Sequence, residues 1–514
     1  MTEALVIGSG AAGGWAAKTL GERGIKTTVL EAGPLAPADQ RVDRADHRSS
    51  RQPVQAMCSA YDPASSHLFV DDLDNPYTHP AGEPFHWFRG RQVGGRLLLW
   101  AGVSLRMSEY ELGPDRDGRA RSWPLHYQDV EPFYARVERF MQISGGGEHS
   151  PTAPAPEAVT SRVPTAGESR LARSIGQHHR DLALLSGRVA RVEADAILSS
   201  ALATGNVRIR PNAVVSHIET DARTGMATAV VFTDGRTRTV HRQAADCVVL
   251  CASSIETVRI LLNSRTKGHP EGLGNNADQL GRYLLDHVAG VCVEGHVPDC
   301  HPFLESAREP GFVPVSHIPD SGNHAGRGFR GGYGVTLLAP EVLPRSARSR
   351  DWALSAAESG VAPFRMWASG EVLPNADNRV ELAAETDAWG VPRASVRLAY
   401  GANELAMAAH QFRLMTELAN SAGFEITGGQ ATPAVPGTSV HELGGAPLGR
   451  DPLTSVADPR NRLWEAPNVL VTDGSCFPTA GWQNPTLTIM ALTARACGLL
   501  ADDARRGLLR SELL

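Results

Sequence analysis

The alternation of apolar and polar residues along the chain predicts which segments form strands and which form helices. Continuous apolar runs, typical of strands buried on both faces of a parallel sheet, occur at Leu5–Ile7, Cys247–Cys251 and Asn468–Thr472. Stricter alternation, typical of half-buried strands, occurs within 206–221, 364–373 and 379–382. Helices are expected over Ala11–Gly24, Glu404–Ala422 and Pro485–Leu500, and within Ser122–Gly145. Strands alternating with helices predict an α/β protein with a parallel sheet.

A glycine motif separates the first two predicted strands. Gly8, Gly10 and Gly13 have the spacing G-x-G-x-x-G, which permits a tight turn, close approach of a pyrophosphate and close packing of helix on strand. The helix that follows would direct its N-terminal amides at phosphate. Glu31 ends the second strand, where a carboxylate can accept hydrogen bonds from ribose hydroxyls. This unit predicts a bound dinucleotide rather than an empty glycine-rich turn, and leaves NAD and FAD as alternatives.

Two later stretches carry similar signals. The strand at Asn468–Thr472 runs into Asp473-Gly474 and is followed by a helix, which predicts a second turn facing the dinucleotide. Pro84–Gly102 holds three aromatic residues and the pair Gly94-Gly95, so its backbone is expected to pack against a flat group, or else to form an ordinary buried loop. Residues 34–80 lack periodicity and are expected to cross the surface.

Composition narrows the class of protein. The 514-residue chain is 42% hydrophobic and 21% charged, as expected for a globular protein of two closely associated domains or one elaborated domain. A net charge of −6 gives no electrostatic case for binding nucleic acid or an anionic membrane. The seven cysteines form no C-x-x-C pair or zinc spacing, so we expect no metal site and a cytoplasmic location. No apolar run has the length of a membrane span.

Longer motifs resemble a known family. VIGSGAAGGWAAKTL…VLEAG near the N-terminus and VLVTDGSCFPTAGWQNPTLTIMALTARA near the C-terminus resemble the glucose–methanol–choline (GMC) family of FAD oxidoreductases. DNPYT, PFHWFRGRQVGGRLLLW, SWPLHYQDVEPFYARVE, EVLPNADNRVEL and VHELGGAPLG are similar to bacterial glycoside 3-dehydrogenases and C-glycoside 3-oxidases and, more distantly, to pyranose oxidases. Segments 146–200 and 300–360 agree poorly with these relatives.

The resemblance implies a fold and a cofactor. The expected architecture is a Rossmann-like, doubly wound FAD-binding domain with an inserted α+β substrate-binding domain. The FAD-binding domain would comprise residues 1–110, 191–290 and 431–514, and the substrate-binding domain residues 111–190 and 291–430.

The resemblance also implies a catalytic pair, His441 and Asn484. Oxidation of an alcohol removes a hydroxyl proton and a hydride from the same carbon. A neutral imidazole can take the proton, and an amide beside it can hydrogen-bond and orient the substrate oxygen. The flavin would take the hydride. A lone histidine among eighteen would otherwise be interpreted as an ordinary surface or core residue.

The motifs and the resemblance assign further residues. Those expected to bind the cofactor are Gly8, Ser9, Gly10, Ala11, Ala12, Gly13, Glu31, Ala32, Gly33, Arg89, Val93, Gly94, Gly95, Leu99, Trp100, Ala101, Ala213, Val214, Cys251, Ala252, Ser253, Asp473, Gly474, Asn484, Pro485 and Thr486. Candidates for the sugar site are Arg96, Arg365 and Trp367, because guanidinium and aromatic groups suit polyols; salt bridges and core packing are the alternatives.

Three departures from the relatives change the expectations. Leu99 stands where pyranose oxidases carry the histidine that binds FAD covalently, so non-covalent FAD is expected. Leu182–Ala201 has no cysteine, whereas glycoside dehydrogenases tend to carry a cysteine-rich stretch there, which puts electron transfer through such a cluster in doubt. Ala446 and Pro447 replace a polar pair close to the histidine, so contacts around it and substrate choice can differ.

The predicted reaction is oxidation of a secondary hydroxyl of a sugar or glycoside, at carbon 3, to a ketone. Alternatives are the oxidation of an aminosugar, nucleoside or other alcohol in a natural product, and a redox-neutral lyase that keeps FAD as a structural element. An inactive binding subunit is disfavoured by the intact His/Asn pair. Oxygen or another compound would accept the electrons, and the oligomeric state is left open.

Overall fold

The computed structural model describes residues 3–35, 68–113, 121–146, 148, 150, 152–157, 163–179, 181–193, 195–300, 311–315, 328–339 and 362–508. Its helices are α1 (Ala11–Glu22), α2 (Glu109–Leu112), α3 (Tyr127–Met141), α4 (Ala166–His178), α5 (Ala196–Leu202), α6 (Ser254–Asn263), α7 (Ala402–Ser421) and α8 (Thr486–Arg505). Short 3₁₀ helices span Gly95–Leu99 and Gly474–Cys476.

The strands of the first half of the chain are β1 (Glu3–Ile7), β2 (Lys26–Leu30), β3 (Leu185–Ser186), β4 (Val207–Arg210), β5 (Ala213–Thr220), β6 (Ala227–Asp234), β7 (Val240–Ala244) and β8 (Cys247–Leu250). Those of the second half are β9 (Leu284–Leu285), β10 (His287–Val288), β11 (Cys292–Val297), β12 (Gly311–Val315), β13 (Tyr333–Leu338), β14 (Ala362–Glu371), β15 (Arg379–Thr386), β16 (Pro392–Arg397), β17 (Glu425–Gln430), β18 (Leu443–Gly444) and β19 (Val469–Val471).

Five strands form a parallel sheet in the order β19-β8-β1-β2-β4. Its strands come from three distant parts of the chain, and the continuous apolar runs place fully buried residues on both faces. Helices α1 and α8 cover one face, where small residues such as Ala16 and Ala17 let α1 lie close to the sheet. A separate antiparallel sheet, β5-β6-β7, extends from this layer.

A second sheet is antiparallel and has the order β17-β11-β14-β13-β12-β3, with β10 also paired to β14. One face buries alternate residues of β14, including Phe364 and Met366, against α7. The opposite face carries Arg365, Trp367 and Glu371, because successive side chains of a strand point to opposite faces. The pairing of His287 with Glu371 places the His287 side chain on that second face.

This architecture confirms the predicted fold class of a doubly wound α/β domain joined to an antiparallel, sheet-containing part. The predicted elements are present with shifted ends. Helix α1 stops at Glu22 because the chain turns at Gly24, whose φ is +80°. Helix α8 continues to Arg505, past the predicted end at Leu500. The predicted domain boundaries stay a prediction, and most of the predicted surface excursion, 36–67, lies outside the described residues.

Among the described residues, no helix combines the length and apolar character required to cross a bilayer.

Candidate active site

The amino-terminal turn, Gly8–Gly13, is built by backbone atoms in close contact. A Cβ atom on Gly13 would lie 2.0 Å from the carbonyl oxygen of Gly8, and one on Gly8 would lie 2.4 Å from the carbonyl oxygen of Cys251. Gly8 also has φ of +96°, in the region that favours glycine. Two of the three motif glycines are therefore required by the fold itself.

Gly10 differs from these two glycines. A Cβ on Gly10 would meet only the Cα of Gly95, at an ordinary 3.9 Å. Gly95 belongs to a turn with Gly94 in which both residues have positive φ, and the Gly94 amide donates to Ser9 Oγ over 3.0 Å. The predicted glycine pair thus closes on the start of α1, and the bare backbone of Gly10 faces it.

The start of α1 suits an anion. The helix begins at Ala11 with no capping side chain and no acidic residue in its first turn. Helix α8 begins at Thr486 after Pro485 in the same way. Amides at such helix starts need an acceptor, and a diphosphate supplies one. The residues present therefore fit a dinucleotide such as FAD.

Glu31 is buried beside the turn. Its carboxylate accepts hydrogen bonds from the Ser9 amide at 3.0 Å, Ser9 Oγ at 2.6 Å and the Gly33 amide at 2.9 Å. Burial raises the pKa of this carboxyl, and the three donors oppose the rise. The backbone carbonyl of Glu31 also accepts from the Ala213 amide, which brings Ala213 and the adjacent Val214 to the predicted adenosine end.

The second predicted turn lies against the first sheet. Cys251 contacts Thr472 through Sγ and Oγ1 over 3.3 Å, and Thr257 Oγ1 donates to the buried carboxylate of Asp473. Burial raises the pKa of Asp473. Gly474 packs tightly, since a Cβ there would lie 2.7 Å from Ser254 Oγ. The structure thus brings Cys251–Ser253 and Asp473-Gly474 together at the ends of two neighbouring strands, β8 and β19.

His441 and Asn484 meet at a partly accessible position. His441 Nε2 lies 3.3 Å from Asn484 Nδ2. Both residues are partly exposed, whereas the chain after His441 (442–448) and before Asn484 (477–483) is buried. Burial and the neighbouring His287 and Arg96 hold the pKa of His441 well below its usual value, so its imidazole is neutral at pH 7.

A second histidine, which sequence reasoning missed, lies behind His441. His287 Nδ1 is 2.9 Å from His441 Nδ1, the two rings are nearly perpendicular at 87°, and His287 Nε2 is 2.9 Å from the carbonyl oxygen of Gly481. His287 is fully buried, which lowers its pKa to about 4. The signal in the sequence is the placing of Asp286 and His287 directly after the apolar Leu284–Leu285.

Asp286 fixes the loop that carries His441. Its carboxylate accepts from the Gly437 amide at 2.6 Å and from Ser439 Oγ, and Ser439 Oγ in turn accepts from the His441 amide at 3.1 Å. Burial raises the pKa of Asp286 to about 7 in spite of these hydrogen bonds, and the nearby Glu442 adds to the rise. Asp286 and His287, which are adjacent in the chain, thus hold the backbone and the ring of His441, respectively.

The predicted sugar-site residues separate into two groups. Arg96 donates to Glu442 at 2.7 Å, to the carbonyl of Val440 at 3.2 Å and to Ser253 Oγ at 3.1 Å, so its guanidinium links the glycine turn to the histidine loop. Arg365 and Trp367 instead lie half-buried on the second sheet, on the face shared with His287 and Glu371.

Other predicted cofactor residues surround the glycine pair. The Val93 amide donates to the carbonyl of Pro34 over 2.9 Å, next to Gly33. Leu99 packs against an apolar cluster of Phe69 and Phe88, Trp100 is half-buried against the main core, and Ala101 is exposed.

Arg89 occupies a different environment from the other predicted cofactor residues. It donates to Asp72 at 2.7 Å and its guanidinium lies 4.4 Å from the Trp87 ring centroid. The Arg89 side chain is thus bonded to other residues of the protein, namely Asp72 and the Trp87 ring. Within the described part of the chain no group of three or more His, Cys, Asp or Glu residues could hold a metal ion.

Comparison with known proteins identifies the family to which the chain belongs. Sequence models of the N- and C-terminal parts of the GMC oxidoreductases match residues 2–289 and 374–493. The chain is 28% identical to 2-methyl-1,2-propanediol dehydrogenase of Mycolicibacterium austroafricanum, over 96% of this chain and 94% of that protein. It is 27% identical to paromamine 6'-oxidase of Streptomyces fradiae, over 98% and 91%.

Two further comparisons bear on substrate and fold. The chain is 26% identical to C-glycoside 3-oxidase of Arthrobacter globiformis, over 56% of this chain and 52% of that protein. The crystal structure of pyridoxine 4-oxidase from Mesorbium loti superposes with a TM-score of 0.62 at 16% identity, covering 97% of this chain and 98% of that one. The chain therefore belongs to the GMC oxidoreductases, a family of FAD-binding enzymes that oxidise the hydroxyl groups of sugars and other alcohols.

Proposed function

We propose that the protein oxidises a secondary hydroxyl of a sugar or glycoside to a ketone, with carbon 3 as the expected position and non-covalently bound FAD as the hydride acceptor. The observation that carries the proposal is the pairing of His441 Nε2 with Asn484 Nδ2 at 3.3 Å in an otherwise buried layer. A neutral proton acceptor and an amide donor, both accessible, are what an alcohol needs for deprotonation and orientation.

Residues at the two turns would hold the cofactor. The free amides of α1 suit the diphosphate, Glu31 suits the ribose hydroxyls, and the turn at Gly94-Gly95 leaves backbone open beside Gly10. When bound, FAD supplies an acceptor for the electron pair of the broken C–H bond. Leu99 offers no nucleophile for a covalent bond and packs into an apolar cluster, which supports non-covalent binding.

The protein groups manage the proton and the oxygen. The substrate O–H donates to His441 Nε2 and the Asn484 amide donates to the same oxygen. As the carbonyl forms, the hydroxyl proton would move to His441 Nε2, and the electron pair of the C–H bond would leave as hydride for the acceptor that bound FAD supplies, so atoms and charge balance. The lowered pKa of His441 keeps the accepting form fully populated at neutral pH.

The second sheet supplies a surface for the rest of the substrate. Thr336 pairs with Trp367 across β13 and β14, on the face that carries His287. Trp482 covers Gly334 on that face, where a Cβ would lie only 2.3 Å from the indole ring. An aromatic ring, a hydroxyl and the guanidinium of Arg365 on the sheet face that carries His287 suit a polyhydroxylated ring better than a hydrocarbon.

A second candidate is the oxidation of an aminosugar hydroxyl. The relatives named as oxidases of paromamine and 6'''-hydroxyparomomycin C match 98% and 97% of this chain, whereas the C-glycoside 3-oxidase matches 56%. The longer match to the aminoglycoside oxidases is what favours this second candidate.

Anaerobic titration of the purified holoenzyme separates these candidates. Bleaching of the oxidised-flavin absorption by a glycoside, with a 3-ketosugar as product, is the expected result. Bleaching by aminosugars alone would move the assignment to the second candidate. A flavin that stays oxidised with every alcohol offered would favour the redox-neutral lyase alternative. Admitting air to the reduced enzyme then shows whether oxygen accepts the electrons.

A further inference from the structure

We propose that His287 is a positioning residue that fixes the tautomer of His441, so that the lone pair of His441 Nε2 faces the substrate. The inference rests on the proposed role of His441 as the base and adds a residue to it. A base that carries its proton on the wrong ring nitrogen cannot accept another there, so a partner that decides the tautomer controls how much of the enzyme is active.

The carbonyl of Gly481 determines which ring nitrogens of the two histidines carry hydrogen. A backbone carbonyl only accepts, so His287 Nε2, 2.9 Å from that oxygen, carries the hydrogen. A neutral imidazole has one N–H, which leaves His287 Nδ1 as an acceptor. Its neighbour at 2.9 Å is His441 Nδ1, which must therefore be the donor. His441 Nε2 is then the unprotonated nitrogen, and it is the atom beside Asn484 Nδ2.

The surroundings favour this role over that of a proton carrier. His287 is fully buried, and that burial lowers its pKa to about 4, so it stays neutral while His441 gains the substrate proton. The charged and titratable groups around the two rings bond to other atoms. Asp286 accepts from Gly437 and Ser439, and Glu371 accepts from the Gly481 amide at 3.3 Å. Arg96 donates to Glu442, and the Tyr400 hydroxyl donates to the backbone carbonyl of His287.

Neighbouring contacts also hold Gly481 itself. Its amide lies 3.3 Å from the Glu371 carboxylate, and Gly481 has φ of +64°. The next residue, Trp482, packs against Gly334 of the second sheet. The carbonyl that starts the chain of hydrogen bonds is thus fixed by two strands that also carry the proposed substrate surface, so His287 links that surface to the base.

Two substitutions test the two ring nitrogens of His287 separately. In His287→Asn the amide oxygen takes the place of Nδ1 and can still accept from His441, but the contact to Gly481 is lost. In His287→Gln the amide reaches the place of Nε2 and can still donate to Gly481, but His441 Nδ1 loses its acceptor. The two variants are close in polarity, so loss of packing alone would affect both.

The measurement is the rate of flavin reduction by substrate under anaerobic conditions, across pH. We expect His287→Asn to lose less than about tenfold and His287→Gln about 10²-fold or more, since an incorrect tautomer removes most of the base. The loss should appear in the limiting rate and leave the substrate concentration at half-saturation nearly unchanged. Equal losses in both variants, or a larger loss in His287→Asn, would overturn the proposal.

Nitrogen-15 NMR of histidine-labelled holoenzyme tests the tautomer without any substrate. Signals of His441 and His287 can be assigned by their absence from His441→Gln and His287→Gln. Hydrogen on His441 Nδ1, and none on Nε2, is the expected result; hydrogen on Nε2 would contradict the proposal. Because this readout needs no turnover, failure to find a sugar substrate would count against the proposed function and not against the tautomer.

Discussion

The amino-terminal turn, Gly8–Gly13, and the histidine site, made of His287, His441 and Asn484, are held in place by different forces. The turn is determined by excluded volume: Gly8 and Gly13 contact backbone atoms at distances that exclude any side chain. The histidine site is determined by directional hydrogen bonds between side chains from separate segments of the chain. Steric fit excludes a side chain at Gly8 and Gly13, whereas a hydrogen-bonded arrangement depends on which atoms carry protons.

The energetic consequences differ as well. A side chain forced into the turn must move backbone, and overpacking of this kind costs about 1–3 kcal/mol or more. Each hydrogen bond of the histidine site contributes only about 1 kcal/mol to stability. Substitutions in the turn should therefore affect folding and cofactor binding, and substitutions at the histidine site should affect rate with little change in stability. The following predictions test that difference.

The largest effect is expected at His441. Replacing it with Gln removes the proton acceptor and should lower the rate of anaerobic flavin reduction by about 10²–10⁴-fold. Thermal unfolding and retained flavin should match those of the unmodified protein, because His441 is partly exposed and the loop is fixed by Asp286. Stopped-flow absorbance and a melting curve measure the two quantities. A variant that reduces flavin at the original rate would show that another group is the base.

Next in size is the effect of Gly13→Ala. The added methyl group would lie 2.0 Å from the Gly8 carbonyl oxygen, so we expect a loss of about 3 kcal/mol in the free energy of unfolding, together with loss of FAD.

Gly10→Ala is the matched control, since its methyl group meets only Gly95 at 3.9 Å. It should leave the stability of the apoprotein within about 0.5 kcal/mol and still weaken FAD binding, because Gly10 is where a diphosphate approaches the backbone. Denaturant unfolding of the two apoproteins and FAD titration provide the comparison. Equal stability of the two variants would contradict the steric account.

These differences also explain what the sequence could predict. The residues that define the turn lie within one βαβ unit, so spacing alone indicated Gly8, Gly13 and the buried acid Glu31. Continuous apolar runs likewise predicted the strands of the parallel sheet, because burial on both faces leaves a local pattern. Local physics determines these elements, and local sequence therefore shows them.

The histidine site has no such local signature. His441 and Asn484 were predicted only from the family resemblance, and His287 was missed because its partner lies 154 positions away. Arg96 was expected at the sugar, yet its closest contact is Glu442, 346 positions away. Contacts between residues so far apart in the chain depend on how the two sheets and their connecting loops assemble. Neither periodicity nor spacing in the sequence carries that information.

An intermediate effect is expected from Asp286→Asn, and it depends on pH. The pKa of Asp286 is about 7 in the folded protein against an ordinary value of 3.8, so the folded state retains a proton that the unfolded state has lost. Stability contributed by this group is therefore full below about pH 4, falls as pH rises towards 7 and is constant above. Asparagine imitates the protonated form and should remove this slope. The unfolding free energy of the variant, relative to that of the unmodified protein, should therefore rise by about 2 kcal/mol between pH 5 and pH 7.

Denaturant unfolding at several pH values, compared between Asp286→Asn and the unmodified protein, measures this slope. The difference in unfolding free energy should grow between pH 4 and 7 and remain level at higher pH. A difference that shrinks with rising pH would mean that the hydrogen bonds from Gly437 and Ser439 outweigh the effect of burial and lower the pKa of Asp286 below its ordinary value.

The smallest effect is expected from Arg96→Lys, which keeps the charge and removes the planar fork. Arg96 bonds Glu442, the Val440 carbonyl and Ser253 at once, whereas a lysine can keep the ion pair with the buried Glu442 but not all three contacts. We expect a loss of about 1 kcal/mol in unfolding free energy and a fall of several-fold in flavin reduction, because the loop carrying His441 loses one of its supports.

The matched control is Arg139→Lys, at the exposed pair with Glu157, where the change should be below about 0.5 kcal/mol and flavin reduction should not change. Paired measurements of unfolding and of the reductive rate decide the outcome. If Arg96→Lys weakened sugar binding alone, with stability and limiting rate intact, Arg96 would contact substrate as the sequence suggested. A loss in rate and stability together would show that Arg96 acts by joining the glycine turn to the histidine loop. The sterically determined turn and the hydrogen-bonded site are then coupled through this one side chain.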